Sequence, residues 1–226
     1  MTAPNGQWTN LEAADGFRPA AWLARPAGRP RGAIVVVQEI FGVNSHIRAV
    51  CDGYAAEGYL AIAPALFDRI RPGIDLGYTN EDIASGRDFK ARSRIEPALA
   101  DVAAARDVAS EAGKVGIVGY CWGGYVTWMS AARLSGFACA IPYYGGGMLE
   151  AVGEEPRCPV LAHFGEKDAH IPVAGVSAFA KAHPQVTVEI YDANHGFNCD
   201  HRGSHDPESA ALARKRTLAF LHRHVG

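Results

Sequence analysis

Charge bias is what this sequence most lacks: 22 Lys and Arg stand against 24 Asp and Glu, a formal net charge of -2 over 226 residues. That balance leaves neither a broad basic surface for nucleic acid nor an acidic tail. Long hydrophobic runs are missing too, and Met1 to Asn10 has no apolar centre of the kind an export signal needs. The expectation is a cytoplasmic protein with no nucleic-acid and no membrane partner. Cysteine is sparse and odd in number, with five residues at 51, 121, 139, 158 and 199. Such a set is a poor disulfide framework and fits a reducing compartment, so each thiol is judged by its own setting. No internal repeat, low-complexity tract or domain-splitting linker occurs, and the length suits one domain over 1–226 with one sizeable core.

What is present is an alternation. Gly32-Ala-Ile-Val-Val-Val37 is a short continuous run rich in β-branched residues, as expected of a strand buried on both faces of a parallel sheet. Asn44 can cap the next segment, where Ile47, Val50 and Tyr54 recur at helical spacing until Gly58. Tyr59 to Ala63 reads as a strand closed by Pro64, the alanine-rich stretch Arg94 to Ala112 as helical after Pro97, and Lys114 to Gly119 as a strand. The pattern continues with a helix from Trp122 to Leu134, strands over 138–142 and 159–164, a helix over 173–183, a strand over 186–191 and a helix over 207–224. This predicts an α/β fold: a mainly parallel central sheet with helices on both faces. The long irregular piece from Ala65 to Ser93 is the expected excursion over a binding site.

The sharpest chemical feature is Gly119-Tyr-Cys121-Trp-Gly123, a glycine-flanked cysteine between a buried strand and a helix. It has the form of a nucleophile elbow with cysteine in place of serine. A sulfur there sits at a helix N-terminus, where free N–H groups and the helix dipole favour thiolate. The competing reading of Cys121 is a small buried hydrophobe, the role assigned to Cys51, Cys139 and Cys158. A nucleophilic cysteine needs a base, and the base needs an orienting group. Asp168 follows one predicted strand in Gly165-Glu-Lys-Asp168, and His195 follows the next in Asp192-Ala-Asn-His195. Cys121, Asp168 and His195 therefore stand in the nucleophile, acid, base order of the α/β-hydrolases, each at the C-terminal end of a strand. Glu166 and Asp192 are the rival acids, and Asp168 could otherwise serve only to cap a turn.

The chain resembles the dienelactone hydrolase (carboxymethylenebutenolidase) family from about Ala33 to the C-terminal helix. The resemblance runs through Gln38-Glu39-Ile-Phe-Gly-Val-Asn44, Gly119-Tyr-Cys-Trp-Gly-Gly124, Tyr143-Tyr-Gly-Gly146, His163-Phe-Gly-Glu-Lys-Asp168 and His195-Gly-Phe197. It implies an α/β-hydrolase fold and a cysteine-dependent hydrolase acting on a small-molecule lactone or ester. It assigns Cys121, Asp168 and His195 as the triad, and it gives Glu39 the role of a carboxylate that meets the resting thiol and moves when substrate binds. On physical grounds, a carboxylate beside the thiol disfavours thiolate. The general hydrolase layout puts the oxyanion hole at the backbone N–H groups of Ile40 and Trp122.

The sequence departs from the family where a substrate carboxylate is held. Members carry an arginine four residues after the histidine, whereas Cys199 stands there and Arg202 lies beyond it. Arg69, Arg71 and Arg87 are the candidates for a second arginine, and spacing does not choose among them. No metal or organic cofactor is expected: His195, Cys199, Asp200, His201 and His205 crowd one loop, but neither C-x-x-C nor H-E-x-x-H occurs. The alternative from another functional class is a thiol redox sensor or ligand-binding protein on the same scaffold.

Overall fold

The computed structural model describes residues 6–226. Met1 to Asn5, the start of the segment read for an export signal, lie outside them. Strands β1 (Gln7–Asn10), β2 (Ala20–Ala24), β3 (Ala33–Val37), β4 (Leu60–Pro64), β5 (Val115–Tyr120), β6 (Phe137–Tyr143), β7 (Leu161–Gly165) and β8 (Thr187–Tyr191) form one sheet. Their order is β1-β2-β4-β3-β5-β6-β7-β8. From β4 to β8 across the sheet every pairing is parallel, while β1 and β2 join antiparallel at one edge. Helices α1 (Ser45–Ala56), α2 (Asn80–Arg92), α3 (Ile95–Ala109), α4 (Trp122–Arg133), α5 (Val173–Ala182) and α6 (Pro207–His224) complete the fold. Among the described residues no helix is long and apolar enough to cross a membrane.

Every residue of β3, β4 and β5 is buried, which is why these strands read as unbroken apolar runs. The registers Val37 with Gly119, Tyr120 with Tyr143, Tyr143 with His163 and Gly165 with Tyr191 bring the C-terminal ends of β3, β5, β6, β7 and β8 level. The loops that follow these strands thus share one edge of the sheet, the usual place for a site in an open α/β sheet.

Two elements depart from the sequence reading. The β1–β2 hairpin has exposed or half-exposed positions on most of its length, so it gives no apolar run to detect. The stretch 65–93, expected to be irregular, ends in helix α2. That helix buries only Gly86 and Phe89, too few positions to print a helical period. Its stability is local: Thr79 and Asp82 form a reciprocal capping box, Glu81 and Asp82 occupy the first turn, and Lys90 and Arg92 the last. Phe89 stacks on Phe67 with ring centroids 5.4 Å apart, and Phe67 stacks on Trp122 at 5.1 Å. The excursion is thereby clamped against the start of α4.

Candidate active site

Cys121 is the residue between β5 and α4, and its backbone lies at φ 55, ψ -117. A non-glycine residue in this region is strained, and the strain holds the side chain clear of both elements. Its N–H donates to the Tyr143 carbonyl at 3.0 Å and its carbonyl accepts from Gly124 at 2.9 Å, so the turn is fixed from both sides. The flanking glycines follow from close approach. A Cβ on Gly119 would overlap the Gly123 carbonyl, and one on Gly123 would overlap the carbonyls of Val37 and Gln38. Cys121 is partly exposed, whereas Cys51, Cys139 and Cys199 are buried. Burial pushes the thiol of Cys139 up to about 12 and that of Cys158 up to about 11.

His195, in the loop after β8, directs Nδ1 to Asp168 Oδ2 at 2.7 Å. Asp168 is itself pinned, because its Oδ1 accepts the His170 backbone N–H at 2.8 Å. With Nδ1 engaged by Asp168, Nε2 is the ring nitrogen left for the Cys121 thiol, which lines the same cavity. Burial lowers the affinity of the imidazole for a proton, but the hydrogen bonds to Asp168 and Cys121 outweigh it and carry His195 up to about 10. Of the rival acids, Asp192 faces solvent and pairs with Lys167 at 2.7 Å, and Glu166 is exposed.

Cys121 and His195 open on a cavity of about 420 Å³ lined by Ile40, Phe41, Arg87, Lys90, Trp122 and Arg202, among others, with Asp168 buried behind the imidazole. Its volume is ordinary for a small-molecule site. A depression of about 460 Å³ lies elsewhere, beside Trp8 and Arg48. Volume alone therefore does not mark the site; the thiol and imidazole do. Ile40 and Trp122 both line this cavity. Among the described residues neither N–H donates to another backbone carbonyl outside the regular elements.

The four candidate arginines separate. Arg202 lines the cavity and reaches Glu39 Oε1 at 3.3 Å. Arg87, on α2, lines it as well. Arg69 does not: its Nε and Nη2 grip Asp101 at 2.8 Å, its Nη1 reaches Asp15 at 2.7 Å, and its guanidinium lies over Phe17. Arg71 stacks over Phe89 and is absent from the lining. Glu39 is 1 % exposed, and its hydrogen-bond partners among the described residues are Arg202 and the Tyr78 hydroxyl, the latter at 3.5 Å, rather than the Cys121 thiol.

Sequence reasoning gave no role to several neighbours. Lys90 adds a third cation to the lining, and Glu150 contributes a carboxylate to it. Lys90 and Arg87 lie one turn apart on α2, a spacing that becomes informative only once that helix is recognised. Tyr144 is fully buried at φ 37, with its ring centroid 5.1 Å from that of His195. The doubled tyrosine before Gly145 was the available signal.

Residues 20–225 match the family model of the dienelactone hydrolase family. The carboxymethylenebutenolidase of Pseudomonas sp. strain P51 is 33% identical over 227 residues, covering 95% of this chain and 94% of that protein. A protein of Synechocystis sp. provisionally named a carboxymethylenebutenolidase is 36% identical over 214 residues, covering 86% of this chain and 87% of the relative. The crystal structure of a provisionally named dienelactone hydrolase from Klebsiella pneumoniae superposes with a TM-score of 0.87 at 31% identity, covering 98% and 99% of the two chains. The chain is a hydrolase that belongs to the dienelactone hydrolase family.

Proposed function

We propose that this protein hydrolyses a lactone or small ester through a thioester on Cys121. The observation that carries the reading is one juxtaposition: a thiol held out on a strained elbow, beside an imidazole whose far nitrogen is fixed by Asp168 at 2.7 Å. Cys121 passes its proton to His195 as Sγ attacks the carbonyl carbon, and the oxyanion is received by the N–H groups of Ile40 and Trp122. Collapse breaks the ester C–O bond, and His195 protonates the departing oxygen. Water then gives a proton to His195 and attacks the thioester, releasing the acid and restoring the thiol. An enolate leaving group departs with little protonation, so enol lactones suit this site better than simple alkyl esters.

The cavity's charge narrows the substrate. Arg87, Lys90 and Arg202 outweigh Glu150, which favours a substrate bearing a carboxylate. Arg202 takes the place of the arginine that Cys199 displaces. An incoming carboxylate would compete with Glu39 for the guanidinium, coupling substrate binding to the release of Glu39.

Mass spectrometry of the protein mixed with an enol lactone tests the mechanism. The expected result is a transient acyl adduct on Cys121 that decays as acid appears. Turnover with no adduct in Cys121-containing peptides, or peroxide-sensitive oxidation of Cys121 with no turnover, would overturn it. The second outcome is the signature of a thiol sensor.

A further inference from the structure

The loop carrying Cys199 was read above for a metal as a local sequence cluster, and the structure assembles a different set. Cys199, Glu39 from the loop after β3 and His46 from the first turn of α1 place their ligand atoms within 4.8 Å of one another, and all three are buried. We propose that Glu39, His46 and Cys199 form a binding site for a divalent zinc ion alongside the catalytic cavity.

Three observations point to a cation. His46 is 3 % exposed, and its Nε2 has no hydrogen-bond partner. A buried, unpaired ring nitrogen is costly unless something else occupies it. Its other nitrogen, Nδ1, contacts Asp200 Oδ1 at 3.2 Å. This is the arrangement by which a carboxylate fixes the tautomer of a metal-ligating histidine and leaves Nε2 as the ligand. The donor set of thiolate, imidazole and carboxylate is one that zinc accepts, with bonds of about 2.0–2.3 Å and a fourth position for water. Such bonds set the ligand atoms roughly 3.3–3.7 Å apart, so a cluster whose ligand atoms lie within 4.8 Å closes by at most about 1.5 Å.

Glu39 is the shared element. Arg202 holds Oε1, which leaves Oε2, facing the Tyr78 hydroxyl at 3.5 Å, to turn toward the ion. On binding, Cys199 exchanges its S–H bond for S–Zn and releases the proton to solvent, and the ion displaces no other protein ligand. Zinc binding itself does not depend on the proposed lactone chemistry. Occupation would hold Glu39 away from the thiol.

The experiment uses the full chain carrying Cys121→Ala, so that the elbow thiol cannot act as a ligand. Zn2+ binding is followed by calorimetry, and Co2+ is used as a spectroscopic probe. One ion per chain with a thiolate-to-cobalt charge-transfer band is expected. His46→Gln and Cys199→Ser should each abolish the band, and Asp200→Asn should weaken affinity about 10- to 100-fold, the usual effect of removing a partner behind a ligand. X-ray absorption at the zinc edge on the Cys121→Ala chain, which needs no ligand variant to fold, should show one sulfur scatterer with nitrogen and oxygen. Absence of stoichiometric binding, or an all-nitrogen and oxygen shell indifferent to Cys199→Ser, would overturn the proposal and assign any binding to the exposed Asp200 and His201.

Discussion

At the scale of single residues, the decisive placements are one cysteine and one histidine. Cys121→Ala removes a sulfur and little volume, so the protein should fold as before and lose turnover; activity near that of the parent would exclude the mechanism. Cys121→Ser should keep only weak activity, because a hydroxyl needs stronger base assistance than a thiol. Asp168→Asn tests the imidazole. The Asp168 hydrogen bond helps raise His195 to about 10, so protonated imidazole, the acid that serves the leaving group, is lost only as pH rises through that region. Without the carboxylate the alkaline limb of kcat/KM should move to lower pH, and an unmoved limb would break the link between Asp168 and the proton on His195. On the proposed role of Glu39 toward the thiol, Glu39→Gln removes a buried negative charge, so alkylation of Cys121 near neutral pH should quicken. Cys121, Asp168 and His195 were legible because each ends a strand, and chain order alone places strand ends together. The partners of Glu39 were not, because nothing in the spacing says that Arg202 folds back onto it.

At the scale of elements, the loop after β4 and helix α2 divide the work of the cations. Arg69 belongs to the framework: it joins Asp15 before β2 to Asp101 on α3, and the Asp101 side chain is 0 % exposed. Arg69→Ala would strand that carboxylate, and loss of one partner from a buried pair costs about 3–5 kcal/mol. A fall in unfolding free energy without change in substrate preference is therefore expected, measured by urea unfolding and by rates on the acid and methyl ester of one enol lactone. Arg202→Ala should also cost stability, because it strands the buried Glu39, but unlike Arg69→Ala it should erode the preference for the acid. A guanidinium–carboxylate contact of about 1.5–3 kcal/mol corresponds to roughly ten- to a hundredfold in preference for the acid. If Arg69→Ala erodes the preference and Arg202→Ala does not, the division is inverted. None of this was readable beforehand, because an arginine in a loop carries no periodicity, and α2, which aims Arg87 and Lys90, buries too little to reveal itself. The buried strands and most of the amphipathic helices, by contrast, were placed within a residue or two, and α3 within three, since their burial is written directly as apolar runs and helical spacing.

At the scale of the whole molecule, the site rests on a buried polar layer that makes stability depend on pH. His163, on β7, is fully buried between the Tyr191 hydroxyl at 2.8 Å and the Thr217 hydroxyl at 3.0 Å, and Thr217 in turn meets the Tyr143 hydroxyl at 2.6 Å. This network ties β6, β7 and β8 to α6 beneath the loops that carry Asp168 and His195. Burial, with a smaller contribution from Arg216, drives the His163 imidazole down from 6.5 to about 3. The unfolded chain takes up this proton below about 6.5, whereas the folded chain refuses it until about 3. Between those values the unfolded state binds more protons, so stability rises with pH, is fully present above about 6.5 and is lost as acid is added. The loss expected from this one residue is on the order of a few kcal/mol. His163→Gln can keep both hydrogen bonds without a titrating ring, so it should flatten the decline in unfolding free energy between about pH 6.5 and 3. Urea unfolding of both proteins at half-unit pH steps measures the two slopes. Parallel slopes would mean that His163 is protonated in the folded state, and would remove it as the source of acid sensitivity beneath the site.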